Sequence, residues 1–217
     1  MKKLLSILLV LCLLCPAALA DSGDVYVSES HIHTYKEGEN QRLHAVFVLE
    51  NRSKELLVPA AVSVALLNAQ GEVCYEDISP MFPPALQPGE RGYVYGLVLL
   101  SPEMQKQYDH AELYLALTEH RKDEKEMLSE MAKQVLYPKA TVTAAGSTAT
   151  VQVTNTAGMD IHVGAILLLH RNQAGEIVGV TEDFIINLPV GETMEKTYEF
   201  PFAAFDTVEI CCYAIPM

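Results

Sequence analysis

Asn68-Ala69-Gln70-Gly71-Glu72-Val73 and Asn172-Gln173-Ala174-Gly175-Glu176-Ile177 are one turn written twice. Each copy opens on Asn, whose side chain can cap its own backbone, and carries Gly where a tight turn needs a left-handed residue. An apolar run precedes each copy, and Val62 and Val64 are answered by Ile166 and Leu168 at the same spacing. Farther upstream, Ala45, Phe47, Leu49 and Asn51 have counterparts in Ala149, Val151, Val153 and Asn155. Downstream, Gln87-Pro88-Gly89-Glu90 aligns with Pro189-Val190-Gly191-Glu192 after a two-residue slip. Self-similarity of this kind predicts one folded unit used in tandem.

Around these turns the apolar residues alternate with a period of two, the signature of half-buried strands. The first unit is expected to hold strands at 25–35, 43–50, 58–67, 72–78, 92–100 and 112–118. The second is expected to hold them at 137–144, 148–154, 161–169, 177–186, 195–200 and 207–214. Prolines at 80, 83 and 84 exclude that stretch from a central strand, because proline removes a ladder donor. Ser101-Pro102-Glu103 reads as the start of a helix of about two turns, with Ser as cap and Pro in the first turn. Residues 119–134 contain no Gly or Pro and read as a short charged helix, with Met127, Leu128 and Met131 on one narrow stripe. The expected fold is all-β: two tandem antiparallel β-sandwiches, residues 21–118 and 135–217, joined by a helical linker at 119–134. Phe47, Leu49, Val62, Val64, Leu66 and Val94 would fill the first core. Val151, Val153, Ile166, Leu168, Tyr198 and Phe200 would fill the second.

The strand-turn-strand core resembles the FxLYD-type, immunoglobulin-like repeats of exported bacterial proteins. The matching features are the Asn that closes the second strand (Asn51, Asn155), the apolar strand that follows, the Asn-x-x-Gly-Glu-apolar turn and the late Gly-Glu turn. Where that family has an aromatic-Asp pair before the Gly turn, this chain has Leu67-Asn68 and Arg171-Asn172. The resemblance implies immunoglobulin-like sandwiches serving attachment or assembly, and it carries no catalytic residue across.

Residues 1–20 read as a signal peptide. Lys2 and Lys3 precede an apolar run from Leu4 to Leu14, and Ala18-Leu19-Ala20 is a small-x-small cleavage site. Leu precedes both Cys12 and Cys15, where a lipid-attachment site wants a small residue, so simple cleavage before Asp21 is expected. The product is then secreted, with no integral membrane segment after cleavage, since the run 163–169 is only strand-sized. The formal charge of −13 argues against nucleic acid, which demands clustered Lys and Arg, and against anionic lipid. Cys74, Cys211 and Cys212 remain beyond the signal, an odd number that cannot all pair within the chain. The expected partner is a protein or a cell-surface component, and no enzymatic motif stands out.

Two candidate sites follow from strand alternation. His31 and His33 share a strand face, and a hairpin centred on Gly38-Glu39 would set His44 opposite His33. Three imidazoles with an open position are a donor set for zinc; polar filler in an exposed hairpin is the simpler reading. Tyr93 and Tyr95 are expected to point away from the first core, where an aromatic pair could bind a partner chain or a sugar; a cross-strand packing pair, or tyrosines covered by the Ser101 to Tyr108 helix, is the simpler reading. The acid pairs Glu76/Asp77 and Glu182/Asp183 lie one in each unit, on corresponding expected strands. Adjacent strand residues point apart, so neither pair alone can flank a substrate as glycosidase carboxylates do.

Overall fold

The computed structural model describes residues 25–37, 40–58, 61–79, 81–116, 126, 127, 130, 133–200 and 204–215. The expected signal peptide lies outside them, as does most of the expected linker; Glu126, Met127, Glu130 and Lys133 are helical. The chain is all-β. Its strands are β1 (Val25–Glu37), β2 (Asn40–Asn51), β3 (Ala61–Leu67), β4 (Val73–Ile78), β5 (Met81–Phe82), β6 (Arg91–Leu100) and β7 (His110–Ala116), followed by β8 (Lys139–Ala145), β9 (Thr148–Thr154), β10 (Ile161–Arg171), β11 (Ile177–Leu188), β12 (Thr193–Glu199) and β13 (Thr207–Ile215). A helix α1 spans Met104–Gln107. It is a single turn rather than the two expected, although Ser101 Oγ does accept the Met104 N–H at 3.2 Å.

The sheets run β1-β2-β6-β5, β4-β3-β7, β12-β9-β8 and β11-β10-β13, and every pairing is antiparallel. In chain order, β1, β2 and β6 occupy the places of β8, β9 and β12, and β4, β3 and β7 those of β11, β10 and β13. Strand β5 has no counterpart: the proline-bounded stretch contributes two residues to the sheet edge, where Phe82 pairs with Tyr93.

Side-chain chemistry fixes the turns. Asn68 Oδ1 accepts the N–H groups of Gln70 and Glu72 at 3.0 and 2.9 Å, and Gly71 has φ +80°. Asn172 Oδ1 accepts those of Ala174 and Glu176, both at 3.0 Å, and Gly175 has φ +83°. The residues that close β2 and β9 are plugs of equal design. Asn51 Nδ2 donates to Glu55 O and Leu86 O at 2.8 and 2.9 Å; Asn155 Nδ2 donates to Met159 O and Leu188 O at 3.0 and 2.9 Å. Both asparagines are fully buried.

The apolar residues form three clusters. One lies between β1-β2-β6-β5 and β4-β3-β7 and holds all six residues expected there, Phe47 to Val94. A second holds Val151, Val153, Ile166 and Leu168, with Tyr198 packed against it. Phe200 is buried at its end, stacked on His170 with ring centroids 4.2 Å apart. The third cluster joins the two halves of the chain. Val46, Val48, Phe82, Tyr93 and Tyr95 meet Ala165, Leu167, Leu169, Ile177 and Val180. Burying an aliphatic or aromatic side chain of this size contributes about 1.5 to 3 kcal/mol, while an exposed ion pair contributes about 0 to 1 kcal/mol. The apolar contact therefore dominates the joint between the halves.

Gly179 stands opposite His170 on β11, and an added Cβ would fall 1.8 Å from the Phe200 ring. Gly179→Ala is therefore expected to push Phe200 off His170 and to cost about 1 to 3 kcal/mol, as overpacking does. Urea unfolding measures this, and an unchanged midpoint would mean that the ring swings clear without loss.

Candidate interaction surface

Strand β2 reads Ala45-Val46-Phe47-Val48-Leu49, and every one of these residues is buried. Ala45, Phe47 and Leu49 point into the first cluster, and Val46 and Val48 point the other way, into the joint. Strand β10 behaves likewise, with Ile166 and Leu168 inward and Leu167 and Leu169 in the joint. Both are continuous apolar runs, as strands covered on both faces require.

Tyr93 and Tyr95 do point away from the first core, but they are not an exposed pair. Each is 7% exposed, because the second half of the chain covers that face. Tyr93 donates its hydroxyl proton to Glu209 on β13. Around that contact lies an ion network drawn from both halves. Arg171 binds Glu29 Oε2 at 2.6 Å and Glu209 Oε2 at 2.7 Å, and Arg91 binds Glu29 Oε1 at 2.5 Å. Burial pushes the Glu209 carboxyl up, but hydrogen bonds from Tyr93 and Arg171 and the charges of Arg171 and Arg91 outweigh it, holding the group below its usual range. Tyr137 adds a second bridge, donating to Glu90 Oε1 at 3.1 Å.

His33 pairs with His44 across β1 and β2. The His31 and His33 rings stack at 5.9 Å, and the His44 ring packs edge-on against Tyr95 at 5.4 Å. Burial, then the neighbouring His33, Arg42 and His31, lower His44 to about 4. Among the described residues, no group of three or more His, Cys, Asp and Glu side chains is placed to hold a metal ion. Cys74, Cys211 and Cys212 are free, and burial pushes the Cys211 and Cys212 thiols up to about 12, which keeps them protonated and unreactive.

The surface that remains open is a continuation of the joint. Along β6, Tyr93 and Tyr95 give way on the same face to Leu97 and Leu99, which are 43% and 58% exposed. Across β10 and β11, Ala165 faces Phe184 and Val163 faces Ile186. Val163, Phe184 and Ile186 are all about half exposed or more, and Ile78 at the end of β4 is 78% exposed. Ile78 and Leu97 border a cleft of about 170 Å³, also lined by Val64, Asp77, Tyr95 and Glu182 among others. It brings together one acid from each pair, Asp77 and Glu182, which sequence spacing alone keeps in separate halves. Asp77 accepts the Tyr75 hydroxyl at 3.1 Å. Burial raises the Glu182 carboxyl above its ordinary range. The other two acids are spent locally: Ser63 donates to Glu76, and Asp183 is held by Lys196 at 2.8 Å and Tyr198 at 2.7 Å.

Among the described residues, no helix is long and apolar enough to cross a membrane. No protein-family model matches the chain, and no curated protein does. Among solved structures, the C-terminal globular domain of an oligosaccharyltransferase from Pyrococcus abyssi aligns at 10% identity with a TM-score of 0.27. That alignment covers 89% of this chain and 47% of the other, so the chain spans about half the length of that domain structure.

Proposed function

We propose that the chain is an exported, non-enzymatic interaction protein built from two tandem immunoglobulin-like sandwiches. The strand-for-strand agreement of the sheet orders supports the tandem reading, as do the paired Asn plugs and turns. The joint consumes one face of each half, and Tyr93 and Tyr95 with it. The observation that carries the function is the apolar surface left beside the joint: Ile78, Leu97, Leu99, Val163, Phe184 and Ile186, all more than 40% exposed. Exposed apolar side chains gathered at one place mark an interaction site more often than chance scatter does.

The test uses the full chain and a Leu97→Ser/Leu99→Ser/Phe184→Ser variant as parallel baits on the exported fraction of the source cells. A protein cross-linked to the first and lost from the second supports the reading. If the two baits retain the same proteins in the same amounts, the reading fails.

A further inference from the structure

The cleft beside the joint has an unusual combination of borders. Strand β6 has β2 along one edge; along the other, among the described residues, it pairs only with β5, at Val94 and Tyr93. Beyond Val94, among the described residues, no strand pairs with this edge over 95–99, which presents backbone donors and acceptors to an added strand, while Leu100 O is taken by Gln105 Nε2 at 3.1 Å. Strand β11 is also an outer strand of its sheet. Leu97 and Leu99 lie on this stretch, Ile78 lines the same cleft as Leu97, and Phe184 follows Glu182 by two residues on the same face of β11; all four are substantially exposed. Asp77 and Glu182 line the cleft and, among the described residues, no Lys or Arg does. Glu182, drawn partly out of water beside the more exposed Asp77, is a complementary site for an incoming Lys or Arg, because charge-assisted hydrogen bonds are about twice as strong as neutral ones.

We infer that this cleft docks an extended segment of a partner protein that places a Lys or Arg between apolar side chains. The cation enters between Asp77 and Glu182, the apolar neighbours cover Ile78, Leu97, Leu99 and Phe184, and the segment's backbone runs along β6. The surface is continuous with a joint in which this same sheet face already takes up apolar side chains. The charge of the chain, −13, steers a cationic segment toward it and disfavours a second copy of the chain. This assignment rests on the interaction reading above and adds the chemistry of the partner.

The experiment pans a display library of random short peptides on the immobilised full chain, then titrates the enriched peptides by fluorescence anisotropy. Enriched peptides are expected to carry Lys or Arg within an apolar stretch. Their affinity should fall about tenfold in Asp77→Asn/Glu182→Gln. It should hold in Glu199→Gln, which removes an exposed acid on β12. Leu97→Ser/Phe184→Ser should also weaken them. If uncharged or acidic peptides enrich and depend only on Leu97 and Phe184, the cationic assignment is overturned while the interaction reading stands. Cationic peptides indifferent to both double variants are bound by general charge, which overturns the site. If no peptide depends on Leu97 and Phe184, both readings fall together.

Discussion

Asn155→Ala is expected to lower the unfolding free energy of the second half by about 3 kcal/mol. The side chain makes three hydrogen bonds in a position with no solvent exposure: two donated to Met159 O and Leu188 O, and one accepted from the Ala157 N–H at 3.0 Å. The backbone is tied as well, since Asn155 N–H reaches Glu192 O and Asn155 O takes the Gly191 N–H. Alanine keeps those backbone bonds but strands two carbonyls and one amide. Each stranded buried group costs about 1 to 3 kcal/mol, and the space vacated by the amide admits water that offsets part of it. Only the Leu188 contact is buried and the other two are part-buried, so one stranded group at about 1 to 3 kcal/mol and two ordinary hydrogen bonds at about 0.5 to 1.5 kcal/mol each give about 3 kcal/mol in all. Asn155→Asp should be no milder, because it removes the donor and introduces a charge where both carbonyls already point. Asn51→Ala strands Leu86 O and the Ser53 N–H, while Glu55 O keeps the Ser53 hydroxyl at 2.9 Å, so its loss should be the smaller of the two. Urea unfolding followed in parallel by far-ultraviolet circular dichroism and tyrosine fluorescence measures both. A loss under 1 kcal/mol in both variants would show that these plugs are dispensable (about the worth of one ordinary hydrogen bond).

The same pair of variants reads the joint between the halves. If the third cluster couples the two halves, Asn155→Ala and Asn51→Ala shift one common transition. If it does not, each variant moves a separate half-transition and leaves the other in place. Ten buried residues drawn from both halves argue for coupling. The tyrosine signal should register it, because Tyr93 and Tyr95 sit inside the joint.

Local chemistry made much of this fold legible. The Asn-x-x-Gly-Glu turns close on their own side chains, so their geometry depends on nothing distant. Strand alternation assigned Phe47, Leu49, Val62, Val64, Leu66 and Val94 to one interior, where they lie. It also assigned Tyr93 and Tyr95 to the opposite face. What alternation cannot tell is the cover on that face, since a period of two distinguishes sides and not their surroundings. The informative signal was the loss of alternation. Val46 and Val48 interrupt the polar face of β2, and Leu167 and Leu169 that of β10, once in each half. Two such runs in one chain are the mark of two faces that meet. The Asp77–Glu182 cleft was illegible for the complementary reason: it exists only through the placement of the halves, which no local pattern encodes. The length of α1 was overestimated because Ser and Pro mark where a helix begins, not how soon Tyr108 returns to extended backbone.

Acid is expected to destabilise the protein before the depressed carboxyls of Glu209 and Asp183 protonate. His170 lies on the inward face of β10 with no exposure, stacked on Phe200 and edge-on to Phe205 at 4.6 Å. Its Nε2 meets Thr181 Oγ1 at 3.0 Å, and its Nδ1 is buried without a partner. Its pair partners are Gly179 on β11 and Val208 on β13, neither of which carries charge. Nothing at the ring compensates a second proton, and burial lowers the group to about 4. His44 is lowered to about 4 as well, by burial first and by its histidine and arginine neighbours second. A histidine whose folded value lies below its unfolded one binds its proton more readily when unfolded. Its contribution to stability is therefore complete above about pH 6.5 and is lost as pH falls from there toward 4. For each of the two, the loss amounts to about 2 kcal/mol by pH 5. The depressed carboxyls of Glu209 and Asp183 act in a lower window, since their contribution disappears only as pH drops through their own folded values. Unfolding in urea at intervals from pH 7.5 to pH 4.5 separates the two windows. His170→Gln keeps a group able to bond Thr181 and removes the titration, so its profile should lose about half the slope of the parent between pH 6.5 and 5. His44→Gln should remove a further share, and His31, which burial and then His33 also lower, carries part of the rest. A parent profile flat across that interval, or a slope unchanged in both variants, would mean that neither ring is held neutral by the fold.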